Sequence, residues 1–167
     1  MQHYGLGTRL LDWTESPLVA AFFAVCLGPS DNEAEIIGLL PDALNEAEVD
    51  ARVIANPKSD DWGLFRSAFI RGEPTRIANV AVACDHFDAR MVVQRSAFTI
   101  HGSDSPLDQN DKWETYVRSF VIPAEYRKRL AAEIMMLGFS ESALFPDLEH
   151  LSRDINLFFG RRSWTDG

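Results

Sequence analysis

Apolar positions change their period several times along the chain, and each change marks an element. Leu18 to Leu27 are ten successive apolar residues, a run with no polar face, which predicts a helix covered by protein all round. Ser16 is a good N-cap, and Pro17 suits the first helical position because its missing N–H would have no partner there. Gly28-Pro29 ends the helix. Just before it, residues 8 to 13 read as an extended strand, with Thr8, Leu10 and Asp12 on one side and Arg9, Leu11 and Trp13 on the other. Each face then carries both apolar and charged or polar groups, which is unusual for a simple edge strand. An Arg and an Asp buried beside such a helix would cost several kcal/mol unless paired. Two readings follow: Arg9 and Asp12 pair with each other or with backbone and lock strand to helix, or they line a polar pocket at the junction.

Further along, Ile36 to Leu40 is a short apolar run ended by Pro41-Asp42, which predicts a buried strand and, with the preceding pieces, a β-α-β step. Asn45 to Val53 reads as a short amphipathic helix, Ala55 to Gly63 as loop and Leu64 to Gly72 as a candidate helix. Asn79 to Cys84 reads as a strand. Asp88 can cap a short helix on which Arg90 and Gln94 share a face, and Ala97 to His101 then alternates, with Phe98 and Ile100 inward and Thr99 and His101 opposite. Ser103 to Lys112 is a polar loop and Trp113 to Ile122 a strand. Pro123 opens a helix with Tyr126, Leu130, Ile134 and Leu137 on one stripe before Gly138 stops it, and a last helix carries Leu148, Leu151, Ile155 and Phe158.

With 167 residues, 46% of them apolar and 11% aromatic, the chain can bury a real core, and one domain spanning 1–167 is the expectation. The fold class expected is α+β, a mixed domain with a central sheet and packed helices. A formal charge of −9 argues against passive binding to nucleic acid or an anionic membrane, since phosphate affinity is carried mainly by Lys and Arg. The apolar run is half the length a membrane span needs and no signal-peptide pattern precedes it, so a cytoplasmic location is expected. Cys26 and Cys84 read as small core residues. His3, His86, His101 and His150 are scattered without metal-ligand spacing, so no metal is expected, and P-loop, GxSxG and dinucleotide GxGxxG motifs are absent.

The run from Gln2 through Thr14, including Tyr4, Gly5, Gly7, Thr8, Arg9, Asp12 and Trp13, with the following Pro17-Leu18-Val19-Ala20 and Phe22-Phe23-Ala24, closely resembles the central motif of the FRG domain family. Arg90-x-x-x-Gln94 followed by Phe98 resembles a second motif of that family, with Arg95 and Ser96 where Gln and Gly are expected. Leu144-Phe145-Pro146-Asp147-Leu148 resembles its closing segment. The family's Phe-Arg-Gly strand should precede the central motif. Phe69-Ile70-Arg71-Gly72 does not qualify, having an extra residue and the wrong place, and Met1 stands directly before the motif. The expectation is therefore a fragment, or a protein or second chain that completes the sheet.

The succession of motifs is similar to the ADP-ribosyltransferase fold. This resemblance implies an NAD-consuming transferase, a bacterial or phage toxin or defence factor, that releases nicotinamide and passes ADP-ribose to a nucleophile. On it, Tyr4, Thr8, Trp13 and Arg90 contact the NAD cofactor, with the Trp13 ring offered for stacking. Arg9, Asp12 and Gln94 are the catalytic candidates, and Arg90 and Gln94 are expected to approach the Thr8 to Trp13 strand. A carboxylate at the Gln94 position would suit the cationic transition state better than an amide. Two other readings stay open: a non-catalytic nucleotide- or protein-binding regulatory module, and a nuclease-like toxin using Asp85, His86 and Asp88.

Overall fold

The computed structural model describes residues 9–28, 31–54, 56, 58, 78–102 and 106–146. The candidate helix at 64–72, the helix beyond 147, most of the loop at 55–63 and both Tyr4 and Thr8 lie outside them. Among the described residues the chain is mixed α and β. Its elements run β1 (Leu10–Thr14), α1 (Pro17–Cys26), β2 (Ala34–Leu39), α2 (Pro41–Val49), β3 (Asn79–Val82), α3 (Ala89–Gln94), β4 (Ser96–His101), a 3-10 turn (Leu107–Gln109), α4 (Trp113–Tyr116), β5 (Val117–Ile122), α5 (Ala124–Met136) and α6 (Glu141–Leu144). The chain forms two compact units, each assembled from separated segments: Met1–Glu15, Glu35–Asp85 and Ser96–Phe120 in the first, and Ser16–Ala34, His86–Arg95 and Val121–Gly167 in the second.

In the first unit, β4 lies between β1 and β3 and pairs antiparallel with both, placing Leu10 opposite Ile100, Trp13 opposite Ala97 and Asn79 opposite His101. β2 pairs instead with β5 in a separate two-stranded sheet, so β1, α1 and β2 are not the β-α-β step that the apolar runs suggest. Alternation puts Leu10, Asp12, Phe98, Ile100, Val80 and Val82 on one face of the three-stranded sheet. There Val80, Val82 and Ile100 form a cluster against which Leu10 and Phe98 pack. The opposite face carries Trp13, Thr99 and Ala81 and meets a second cluster built from Leu44, Ala81, Leu107, Tyr116 and Val117. Thr99 is thus fully buried rather than on a wet side, because β4 is central and covered on both faces.

α2 begins at Pro41 rather than Asn45, since proline at the first helical position ends the strand and opens the helix at one point. The earlier start points Asn45 and Glu48 at the outer edge of β3. Asn45 Oδ1 accepts the Ala81 N–H at 2.7 Å, and its Nδ2 donates to the Ala81 carbonyl at 2.9 Å. Glu48 Oε2 accepts the Asn79 N–H at 3.0 Å. Side chains of one helix thus occupy the place of the next strand and blunt an edge that would otherwise expose its main chain. Trp113 to Tyr116 forms a helical turn instead of the start of a strand, and the Trp113 and Tyr116 rings, three residues apart, meet edge-to-face at 6.1 Å.

In the second unit, Ser16 caps α1 by accepting from the Val19 N–H, as its position predicts. Val19, Ala21, Phe22 and Val25 are buried, whereas Leu18, Phe23 and Leu27 are exposed. The apolar run therefore buries a stripe and not its whole circumference. On α5, Ile134 is buried, but Tyr126 and Leu137 of the expected stripe are exposed, and Arg127 turns inward with 3% of its surface accessible. The reason is the end of α1. The Ala24 carbonyl there has no partner within the helix, and Arg127 Nη2 supplies one at 2.9 Å while Nη1 donates to Asn32 O at 2.9 Å. Gly28 leaves room for this, since a Cβ there would stand 3.2 Å from Nη2. Gly138 ends the turn after α5 with φ of +90°, a conformation glycine adopts without steric cost.

Candidate functional site

The strand that carries the central motif, β1, sits at one end of the order β1-β4-β3. Trp13 is half-buried against the second cluster, and its indole Nε1–H donates to Thr99 Oγ1 at 3.0 Å. This bond, between residues 86 apart in sequence, fixes the ring plane. Thr99 Oγ1 lies 3.1 Å from His101 Nε2, and burial pushes the His101 pKa below its ordinary value, which favours the neutral ring. The ladder extends beyond β1, because Arg9 O accepts the His101 N–H at 2.8 Å. Arg9 and His101 are therefore cross-strand neighbours, and alternation sets Arg9, Trp13, Thr99 and His101 on the same face of the sheet.

Arg9 and Asp12 are both exposed. The reading in which they are buried and lock strand to helix is therefore corrected: β1 is terminal in the sheet, and its charged positions reach water. The register also separates the two, since Asp12 lies with Leu10 and Phe98 on the face opposite to Trp13.

In the second unit Asp88 caps α3, its Oδ1 accepting the Met91 N–H at 2.8 Å, as its place before the helix predicts. Arg90 and Gln94 do share a face. The Arg90 guanidinium stands 4.6 Å from the centre of the Phe145 ring, and Gln94 Nε2 donates to Leu144 O at 2.9 Å. The Arg-x-x-x-Gln spacing and the Leu-Phe-Pro segment are thus two halves of one contact, with cation–π attraction and a main-chain hydrogen bond holding α3 against α6. Arg95 follows in the left-handed region, φ 49°. Arg90 and Gln94 belong to a different compact unit from Arg9, Asp12 and Trp13.

The acidic group proposed for a nuclease is already engaged locally: Asp85 pairs with Lys58 and Asp88 caps α3. Among the described residues no group of three or more His, Cys, Asp or Glu side chains is placed to hold a metal, and no helix is long and apolar enough to cross a membrane. Cys26 and Cys84 are half-buried, and burial raises both thiol pKa values, followed by the nearby carboxylates Glu141 and Asp85 respectively. Neither is set up as a nucleophile.

Sequence reasoning missed the roles of Thr99, His101, Glu48 and Asn45. The alternation of β4 placed Thr99 and His101 on one side, but Trp13 as their partner depends on a strand pairing no local pattern reveals.

A family model of the FRG domain matches residues 1–33. That segment contains β1, α1 and every residue quoted for the central motif. No curated protein matches the chain, and no solved structure does.

Proposed function

We propose that this chain binds NAD and works as an ADP-ribosyltransferase-like domain, with the nucleotide at the β1 margin of the sheet beside Arg9 and Trp13. The observation that carries this reading is that an exposed guanidinium and a half-exposed indole stand on one face of the FRG-matched strand, the indole held in place by Thr99. Arg9 suits a diphosphate, because its planar fork matches phosphate oxygens. Trp13 offers a flat surface to a base or nicotinamide ring, and a ring fixed beforehand loses little freedom on binding. Thr8 and Tyr4 would add contacts from the same motif.

For turnover, departure of nicotinamide leaves a cationic ribose that a carboxylate stabilises better than an amide. Asp12 lies on the other face of the sheet from Trp13, so the strand itself supplies no carboxylate on the nucleotide's side. A toxin or defence role would be the biological use of such chemistry.

A second reading, a regulatory module that binds a nucleotide or protein without chemistry, is favoured by one observation: the Gln94 amide donates to the Leu144 carbonyl. Incubation with NAD labelled in both halves separates the two. Release of nicotinamide together with a labelled acceptor supports the transferase. Tight NAD binding without release supports the module, and no NAD binding sinks both nucleotide readings.

A further inference from the structure

Thr99, with no exposed surface, bridges two rings in the first unit. The indole Nε1–H of Trp13 can only donate, so Thr99 Oγ1 is its acceptor at 3.0 Å, and the hydroxyl proton is left to point at His101 Nε2, 3.1 Å away. An imidazole that accepts at Nε2 carries its proton on Nδ1. That Nδ1 has no hydrogen-bond partner among the described residues, and His101 is only partly buried. His101 lies across the ladder from Arg9, whose carbonyl accepts its main-chain N–H.

Resting on the nucleotide reading above, we infer that His101 is a further ligand contact, its Nδ1–H donating to an acceptor oxygen of the phosphate and ribose portion of NAD, while Thr99 and Trp13 act as positioning residues. Arg9 as cross-strand neighbour selects that portion: a guanidinium and a neutral N–H donor side by side suit an oxygen-rich anion rather than an aromatic ring. Burial favours the neutral ring, and the Thr99 hydroxyl selects which nitrogen carries its proton.

The test uses the full chain and two amides that divide the imidazole between them. His101→Gln extends its amide to where Nε2 was and keeps the Thr99 contact, but it has no group at Nδ1; His101→Asn places its amide N–H near Nδ1. Calorimetric titration with NAD, ADP-ribose and nicotinamide is expected to show His101→Gln about tenfold weaker for NAD and ADP-ribose, with an unchanged melting temperature and no effect on nicotinamide. His101→Asn should recover most of that loss. Nitrogen NMR of the wild-type imidazole should show a bare Nε2 and a protonated Nδ1 that shifts on adding ADP-ribose. Thr99→Val should erase this preference and Thr99→Ser restore it. Wild-type binding matched by His101→Gln, or a proton found on Nε2, overturns the inference and leaves the nucleotide reading standing. A wild-type chain that binds neither NAD nor ADP-ribose overturns both.

Discussion

Arg127 is nearly buried, and its guanidinium donates to the Ala24 and Asn32 carbonyls from residues 103 and 95 positions away. Arg127→Met keeps the aliphatic bulk but strips both acceptors, and should cost about 3 kcal/mol in urea unfolding. Arg9→Ala and Asp12→Ala stand at the other extreme. Both side chains are exposed, so each variant should stay within about 0.5 kcal/mol of wild type in the same measurement, and any loss of NAD binding is then not a loss of fold. His101 gives a pH dependence with a definite sign. Burial lowers its pKa below 6.5, so just below that pH the folded state holds fewer protons than the unfolded chain. Its contribution to stability is therefore complete above the ordinary histidine range and is lost as pH falls through it towards the depressed folded value. Melting temperatures taken from about pH 8 down to about pH 5 should fall less in His101→Gln than in wild type, after allowing for the carboxylates common to both.

Among the elements, α2 and β3 depend on each other through side chains. Asn45 is 1% exposed and makes three hydrogen bonds to main chain, two to Ala81 and one to Val53 O at 2.6 Å. Asn45→Ala should destabilise by about 2–4 kcal/mol, because the Ala81 N–H and carbonyl are left buried without partners. It should also raise the tendency to associate, since the β3 edge loses its cover. Thermal melts and light scattering on the same sample measure the two effects. The position of α2 was partly legible: the acidic, alanine-rich run from Asn45 announces a helix, whereas Pro41 reads from sequence only as the end of a strand. Its function as the cover for a strand edge was not, because Asn45 and Glu48 look like ordinary surface residues until β3 is placed beside them. The reverse holds for α3 and α6. Their motifs were recognisable one by one, and the structure adds that Arg90 and Gln94 grip Phe145 and Leu144.

For the molecule as a whole, the charge of −9 matters more than any single ion pair. Ion pairs among the described residues, such as Arg52 with Asp42 at 3.1 Å and Arg129 with Glu133 at 2.8 Å, lie at the surface and contribute little. Self-repulsion among excess carboxylates should therefore dominate the response to salt. Raising ionic strength from about 10 mM to about 150 mM, which shortens the Debye length from about 30 Å to about 8 Å, should increase the melting temperature by a few degrees. A fall in melting temperature would mean that attractive pairs outweigh the repulsion.

The sequence by itself determined what depends on near neighbours: the Ser16 and Asp88 caps, the proline at the head of α1, the glycine after α5, the mixed α and β class and the extended segment at β1. These are set by backbone geometry and hydrogen bonds spanning a few residues, so the local pattern suffices. Only the tertiary structure decided that β1 pairs with β4 and not with β2, that Thr99 lies between Trp13 and His101, that Arg127 is inside while Arg9 and Asp12 are outside, and that Asn45 closes the edge of β3. Each of those joins residues far apart in the chain, and whether a polar side chain is buried depends on which acceptor the fold brings within about 3 Å of it, a distance that no periodicity encodes.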